Sequence, residues 1–241
     1  MRRCLLLLGL LAGCQVTKSE LPQSTDSGPS ESEASGGIVV MGSSTVVGAG
    51  ASVHDSSWVG RLAQTIGSAC PDRKLSVLGV SGYSSWHFVP RGIPRPVGRP
   101  ASDSNVGVER ALKLDPRLVI LQINSNDPAN GYSPTEILAN HRIILDSLRS
   151  HGVHVIEVGP FPRYLQYGTA RQMLTLRDSL TKLVDSTSRV DVWDTLAMDS
   201  LRVKSAFAAG DAVHLDNAGH AVIHRMLVRC RTWRAVCSGG K

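Results

Sequence analysis

The sequence has no cysteine–histidine clusters at zinc-binding spacing, no internal repeat, and no basic block interleaved with aromatics. The first absence argues against a structural zinc module. The second argues against a repeat architecture. The third argues against a nucleic-acid groove, because the 26 Lys and Arg behind the net charge of +6 are scattered along the chain. Long apolar runs are missing too. The stretch from Leu5 to Leu11 is too short to span a bilayer as a mature helix. Charged residues make up only 19%, below the level usual for soluble proteins. What remains is a chain of 241 residues with 42% hydrophobic content, enough to bury a core in one large or two small domains.

The N-terminus reads as a targeting segment. Arg2-Arg3 supply a positive start and Leu5 to Leu11 an apolar centre. Leu11-Ala12-Gly13-Cys14 then resembles the bacterial lipobox, which implies cleavage before Cys14 and a lipid on its sulfur. Gln15 in the next position, by resemblance to Gram-negative lipoproteins, favours the outer membrane over the inner. An ordinary secretory signal is the alternative. Residues 15–36 are rich in Ser, Gly, Glu and Pro, with almost no large apolar residue after Leu21, so they read as a disordered tether. The organisation expected is a signal over 1–14, a tether over 15–36 and one folded domain over 37–241.

Within that domain, short β-branched runs alternate with helical periodicity. Strands are expected over 38–41, 74–78, 117–123, 153–158 and 190–193. Helices are expected over 58–69, 106–114, 134–150, 170–187 and 217–228. This spacing implies right-handed crossovers. The fold class is therefore α/β, a three-layer sandwich around a parallel sheet of about five strands, flavodoxin-like in arrangement.

The first strand runs into Gly42-Ser43-Ser44-Thr45-Val46-Val47-Gly48-Ala49-Gly50. Open parallel sheets place ligands at such strand ends. A serine there can aim its hydroxyl into a crevice faced by backbone N–H groups, the setting of acyl transfer. Far along the chain, Asp211 and His214 stand three apart. If they share a face of a helical turn, the carboxylate can hold one imidazole nitrogen and leave the other as base. Gly82 and Asn126 end two further strands, one offering a bare backbone N–H and the other a side-chain amide.

Four strand-end motifs in this order resemble the SGNH (GDSL-type) hydrolase family. The resemblance runs from about Ile38 to Leu227 and is most specific in the last block, where Asp211, His214, Leu215 and Gly219 all fall in place. It implies Ser44 as nucleophile, His214 as base and Asp211 as its orienting carboxylate. It also implies an oxyanion hole made of the Ser44 N–H, the Gly82 N–H and the Asn126 side chain. No metal or cofactor is implied. The chain departs from the family pattern at Ser43, Val77 and Asn124, where an aspartate, an asparagine and a glycine are usual. The Gly-Ser-Ser-Thr form, with Pro96-Val97-Gly98-Arg99-Pro100 and Ser125-Asn126-Asp127, resembles a bacterial subset of the family.

Other reactive residues have plainer readings. Asp127 is expected to orient Asn126 or its loop. His220 and His224 are expected to be structural, and His54 a capping or surface residue. The long segment 81–105 carries Trp86 and His87, candidate substrate contacts, although Trp86 and Phe88 could equally pin the segment to the core. Arg95 and Arg99 there could meet an anionic group. Cys70, Cys230 and Cys237 leave the disulfide pairing open. The function expected is an exported serine esterase working through an acyl-enzyme on short acyl groups, with carbohydrate favoured as the alcohol part. The alternatives are a lysophospholipase or thioesterase, acyl transfer to another alcohol, or a weakly catalytic surface binding protein of the same fold, the last suggested by Ser43.

Overall fold

The computed structural model describes residues 36–123, 126–199, 201–211 and 213–238. The expected signal, Cys14 and residues 15–35 of the expected tether lie outside the described residues; Gly36, expected to end the tether, is described and buried, and its carbonyl accepts from Arg73 at 2.8 Å. Five parallel strands form one sheet: β1 (Gly37–Gly42), β2 (Leu75–Gly79), β3 (Pro116–Gln122), β4 (His154–Val158) and β5 (Arg189–Val190), in the order β2-β1-β3-β4-β5. Alternation along each strand divides the core into two layers. Ile38 and Val40 of β1, with Leu118 and Ile120 of β3, pack under α2 (Trp58–Ala69), α7 (Asn217–Leu227) and α8 (Arg231–Ser238). Val39, Met41, Val119 and Leu121 face the other way, against α3 (Val108–Leu112), α4 (Pro134–Arg149) and α5 (Tyr167–Leu180). This is the expected three-layer α/β sandwich.

The remaining helices are short: α1 (Ser44–Val47) directly after β1, and α6 (Trp193–Leu196) after β5. Helix starts follow their side-chain caps. The Ser57 side chain accepts the Gly60 N–H at 3.0 Å, Ser133 accepts that of Glu136 at 3.2 Å, and Asp216 accepts that of Gly219 at 2.9 Å. Strand β5 is shorter than the sequence implied. Asp191 accepts the Trp193 N–H at 3.1 Å while Arg177 grips the same carboxylate at 2.9 Å, and the chain turns into α6.

The order β2-β1-β3 makes β1 the point from which the chain first moves to one side of the sheet and then to the other. Such a switch point opens a crevice beyond the strand's C-terminal end. Residue 44 lies there.

The cysteine pairing left open by the sequence is Cys70–Cys237, which ties the end of α2 to α8 across 167 residues of chain. Cys230 keeps a buried thiol, its S–H directed at the Thr187 carbonyl at 2.9 Å. Removing the bond by Cys237→Ser should lower unfolding free energy by about 2–4 kcal/mol. Urea denaturation reads this directly, and an unchanged midpoint would mean the bond adds nothing.

Candidate active site

Ser44 is the first residue of α1, and backbone groups fix it there. The Ser43 carbonyl accepts the N–H groups of Val46 and Val47, and the Ser44 carbonyl accepts that of Ala49 at 2.9 Å. The nucleophile turn is thus closed by the residues that follow it. Gly50 then passes under the segment from residue 214 to 215 with φ +91; a Cβ on it would lie 2.1 Å from the Leu215 carbonyl oxygen and 2.8 Å from the His214 Cβ. Only glycine permits that approach.

The approach carries His214 to Ser44. The imidazole Nε2 lies 2.9 Å from Ser44 Oγ, although the two residues are 170 apart in sequence. Nδ1 lies 2.6 Å from Asp211 Oδ2. A carboxylate only accepts, so Nδ1 carries the proton and Nε2 is left to take one from the serine. Asp211 and His214 do not sit on a helix as the spacing suggested. Asp211 Oδ1 instead accepts the N–H groups of Val213 and His214, each at 2.9 Å, so the aspartate folds its own turn around the histidine. The His214 side chain and those two N–H groups hold the Asp211 carboxyl well below the usual carboxylate range.

Facing this pair are the ends of β2 and β3. Gly82 has φ +81 at the third position of a turn closed by the Tyr83 N–H on the Val80 carbonyl at 3.3 Å. Asn126 donates its side-chain N–H to the Tyr83 carbonyl at 2.9 Å, one residue from Gly82. The two expected oxyanion donors therefore belong to loops that are bonded to each other.

A model of the GDSL-like lipase/acylhydrolase family matches residues 40–222, which include every residue of this site. The chain belongs to that family. It is a serine ester hydrolase of the GDSL-like type. Among solved structures, that of TesA superposes with a TM-score of 0.60 at 16% identity, over 83% of this chain and 98% of that one. A carbohydrate acetylesterase family member from Sinorhizobium meliloti gives 0.55 at 15%, over 84% and 99%. A two-domain esterase active on acetylated mannans gives 0.56 at 14%, over 84% of this chain and 50% of that one. These likenesses bear on the fold. No curated protein matches the sequence significantly.

The rest of this GDSL-like site is more tightly tied than its sequence suggested. Trp86 is 5% exposed and donates to Glu136 at 2.8 Å, so it pins the long loop rather than lining an open wall. Arg99 grips the same carboxylate at 2.6 and 2.7 Å and lies 3.8 Å above the Tyr132 ring, so its charge is already engaged within the loop. His87 accepts the Ser84 N–H on Nδ1 at 3.0 Å and stacks on Tyr83 at 3.8 Å, and burial lowers its pKa. Its part in substrate contact remains an expectation. His220 accepts the Trp58 N–H and bonds the Ala49 carbonyl, and His224 bonds Thr65, so both hold α7 to its neighbours.

Other contributors were given no role by the sequence. Gly50 is one: it lay in the turn stretch, but its approach to residues 214 and 215 was not legible there. Arg163 is another, 4% exposed, with its guanidinium 5.0 Å from the Phe161 ring centroid. Burial lowers its pKa to about 10, against the opposing charge of Asp211. Ser85, bonded to Asp127, and Asn140, bonded to Ser85, lie behind the loops of the expected oxyanion donors.

The Gly50→Ala variant should push the 214–215 segment away from Ser44. A misplacement of about 1 Å at reacting groups costs on the order of a hundredfold in rate. Ester turnover should fall by about that factor in protein whose circular dichroism is unchanged; retained turnover would show that the segment can shift without moving the imidazole.

Proposed function

We propose that this GDSL-like hydrolase is an exported esterase that removes short acyl groups from carbohydrate through an acyl-enzyme on Ser44. The observation that carries the reading is the Asp211–His214–Ser44 chain, with contacts of 2.6 and 2.9 Å. Ser44 Oγ attacks the ester carbonyl while His214 Nε2 takes the hydroxyl proton. The carbonyl oxygen becomes an oxyanion, held by the Ser44 and Gly82 backbone N–H groups and the Asn126 side chain. As the C–O bond to the alcohol breaks, His214 returns the proton to the departing oxygen. Water then gives a proton to His214, attacks the acyl carbon and releases the acid, and Ser44 recovers its hydrogen. Acyl transfer to a second alcohol would use the same acyl-enzyme.

The carbohydrate preference is supported by the half-buried, stacked Tyr83 and His87 rings in the loop after Gly82 and by two structural neighbours, one a carbohydrate acetylesterase family member and one active on acetylated mannans. Export is supported by the N-terminal pattern ending at Cys14 and by a disulfide, which persists in oxidising compartments. One observation favours longer acyl chains. Val47, in the nucleophile helix, and Val213, beside the catalytic histidine, are 47% and 37% exposed.

Hydrolysis of p-nitrophenyl acetate against a longer-chain ester separates these readings, an excess on acetate being expected. Ser44→Ala and His214→Ala should each abolish turnover, and the double variant should lose no more, because the residues act as a unit. Comparable turnover in Ser44→Ala would sink the mechanism. Asn126→Ala should lower kcat by roughly a hundredfold or more. For the anchor, Cys14→Ser in the full chain should release the protein from membranes, and continued partitioning would refute a lipid on that residue.

A further inference from the structure

The loops that carry the two oxyanion donors are joined a second time, deeper in the protein, by Asp127. Both carboxylate oxygens of Asp127 lie 3.1 Å from the Ser85 backbone nitrogen, and the Ser85 hydroxyl donates to Oδ1 in a short hydrogen bond. Asn140 of α4 donates to the Ser85 hydroxyl at 2.8 Å. The Asp127 main-chain carbonyl in turn accepts the N–H groups of Asn130 and Tyr132, each at 3.0 Å. Asp127 follows Asn126 in the chain, and Ser85 follows Gly82 by three residues. Asp127, Ser84 and Ser85 are all within 1% of full burial.

We propose that Asp127 is the positioning residue of the oxyanion hole: its carboxylate clamps the Gly82 loop through Ser85 and so fixes the distance between the Gly82 N–H and the Asn126 amide. The proposal rests on the functional reading above. Were the Asn126 bond to Tyr83 and the Ser84–Tyr132 hydroxyl contact at 2.8 Å the only ties between the loops, the amide would help to hold the loop and bind the oxyanion at once. The clamp takes over the first task. It does so where water is excluded, so the charged hydrogen bonds are strong and their geometry is narrow.

A buried carboxylate needs a reason to stay. Burial pushes Asp127 up to about 6, against the Ser85 bonds and the nearby His141. His141 is itself fully buried on α4, its Nδ1 3.6 Å from Glu157 of β4. Burial works against its charge, but the Glu157 and Asp127 carboxylates raise its pKa. Arg99 and Tyr132 also feel the Asp127 charge from the loop side. An amide would fill the same space and bring no charge that needs this setting.

The test compares wild type, Asp127→Ala, Asp127→Asn and Ser85→Ala on p-nitrophenyl acetate, with active sites counted by the end-point of fluorophosphonate labelling. An oxyanion hole acts in the transition state, so kcat per labelled site should fall with KM unchanged. The expected loss is about 10- to 100-fold for Asp127→Ala, from displaced donors. Asp127→Asn, which keeps one acceptor oxygen, should retain more activity than alanine. Ser85→Ala leaves only the backbone donor and should lose about tenfold, the low end for one hydrogen bond to a charged group. A merely structural role would reduce the number of labelled sites or the melting temperature and leave kcat per site within twofold; that result in Ser85→Ala and Asp127→Asn overturns the proposal even if Asp127→Ala does not fold. A change confined to KM overturns it as well. Failure of wild type itself to label would instead remove the serine-esterase reading.

Discussion

A serine hydroxyl attacks a carbonyl only if its proton has somewhere to go, and in this protein the acceptor comes from the far end of the chain. The imidazole of His214 reaches Ser44 Oγ at 2.9 Å, and much of the molecule serves that one contact. Strand β1 sits between β2 and β3, so its C-terminal end opens on a crevice rather than on a neighbouring crossover. The bare Cα of Gly50 admits the 214–215 backbone against the nucleophile turn. Asp211 folds the histidine turn with one oxygen and fixes the imidazole tautomer with the other. A carboxylate held this way has two jobs, and its proton affinity falls because both need it ionised.

The second half of the site is built on the opposite principle. The nucleophile side uses local turns with exposed edges. The side with the expected oxyanion donors uses buried and half-buried polar groups whose partners come from three separate elements. Asn126 and Asp127 follow β3, Tyr83 and Ser85 follow β2, and Asn140 belongs to α4. Each is satisfied by another, which is what makes their burial tolerable. The aromatic loop beyond them is stapled in the same manner, by Trp86 and Arg99 on one glutamate.

The family departure at Ser43 falls at the N-cap of α1. Ser43 caps α1 through its main-chain carbonyl, which bonds the N–H groups of Val46 and Val47. Any residue can supply a carbonyl. Backbone bonds and the positive φ of Gly48 and Gly50 thus help to set the turn that presents Ser44. The alternative of a weakly catalytic binding protein was suggested by Ser43, and the intact Ser44–His214–Asp211 chain speaks against it.

Periodicity and motif by themselves determined the sheet, its parallel sense, and the identity of Ser44, His214, Asp211, Gly82 and Asn126 as the residues to watch. Those features depend on contacts a few residues apart, or on strand ends whose chemistry repeats wherever the fold occurs. Only the tertiary structure decided that Cys70 pairs with Cys237, that Trp86 and Arg99 turn inward to Glu136, that Asp211 makes a turn and not a helical face, and that Ser85 and Asn140 stand behind Asp127. Each of these joins groups brought together by packing, or chooses among local conformations of similar energy. A serine, an asparagine or a glycine has the same one-letter identity whether it faces water or a buried carboxylate, so its role is legible only once its partner is in place.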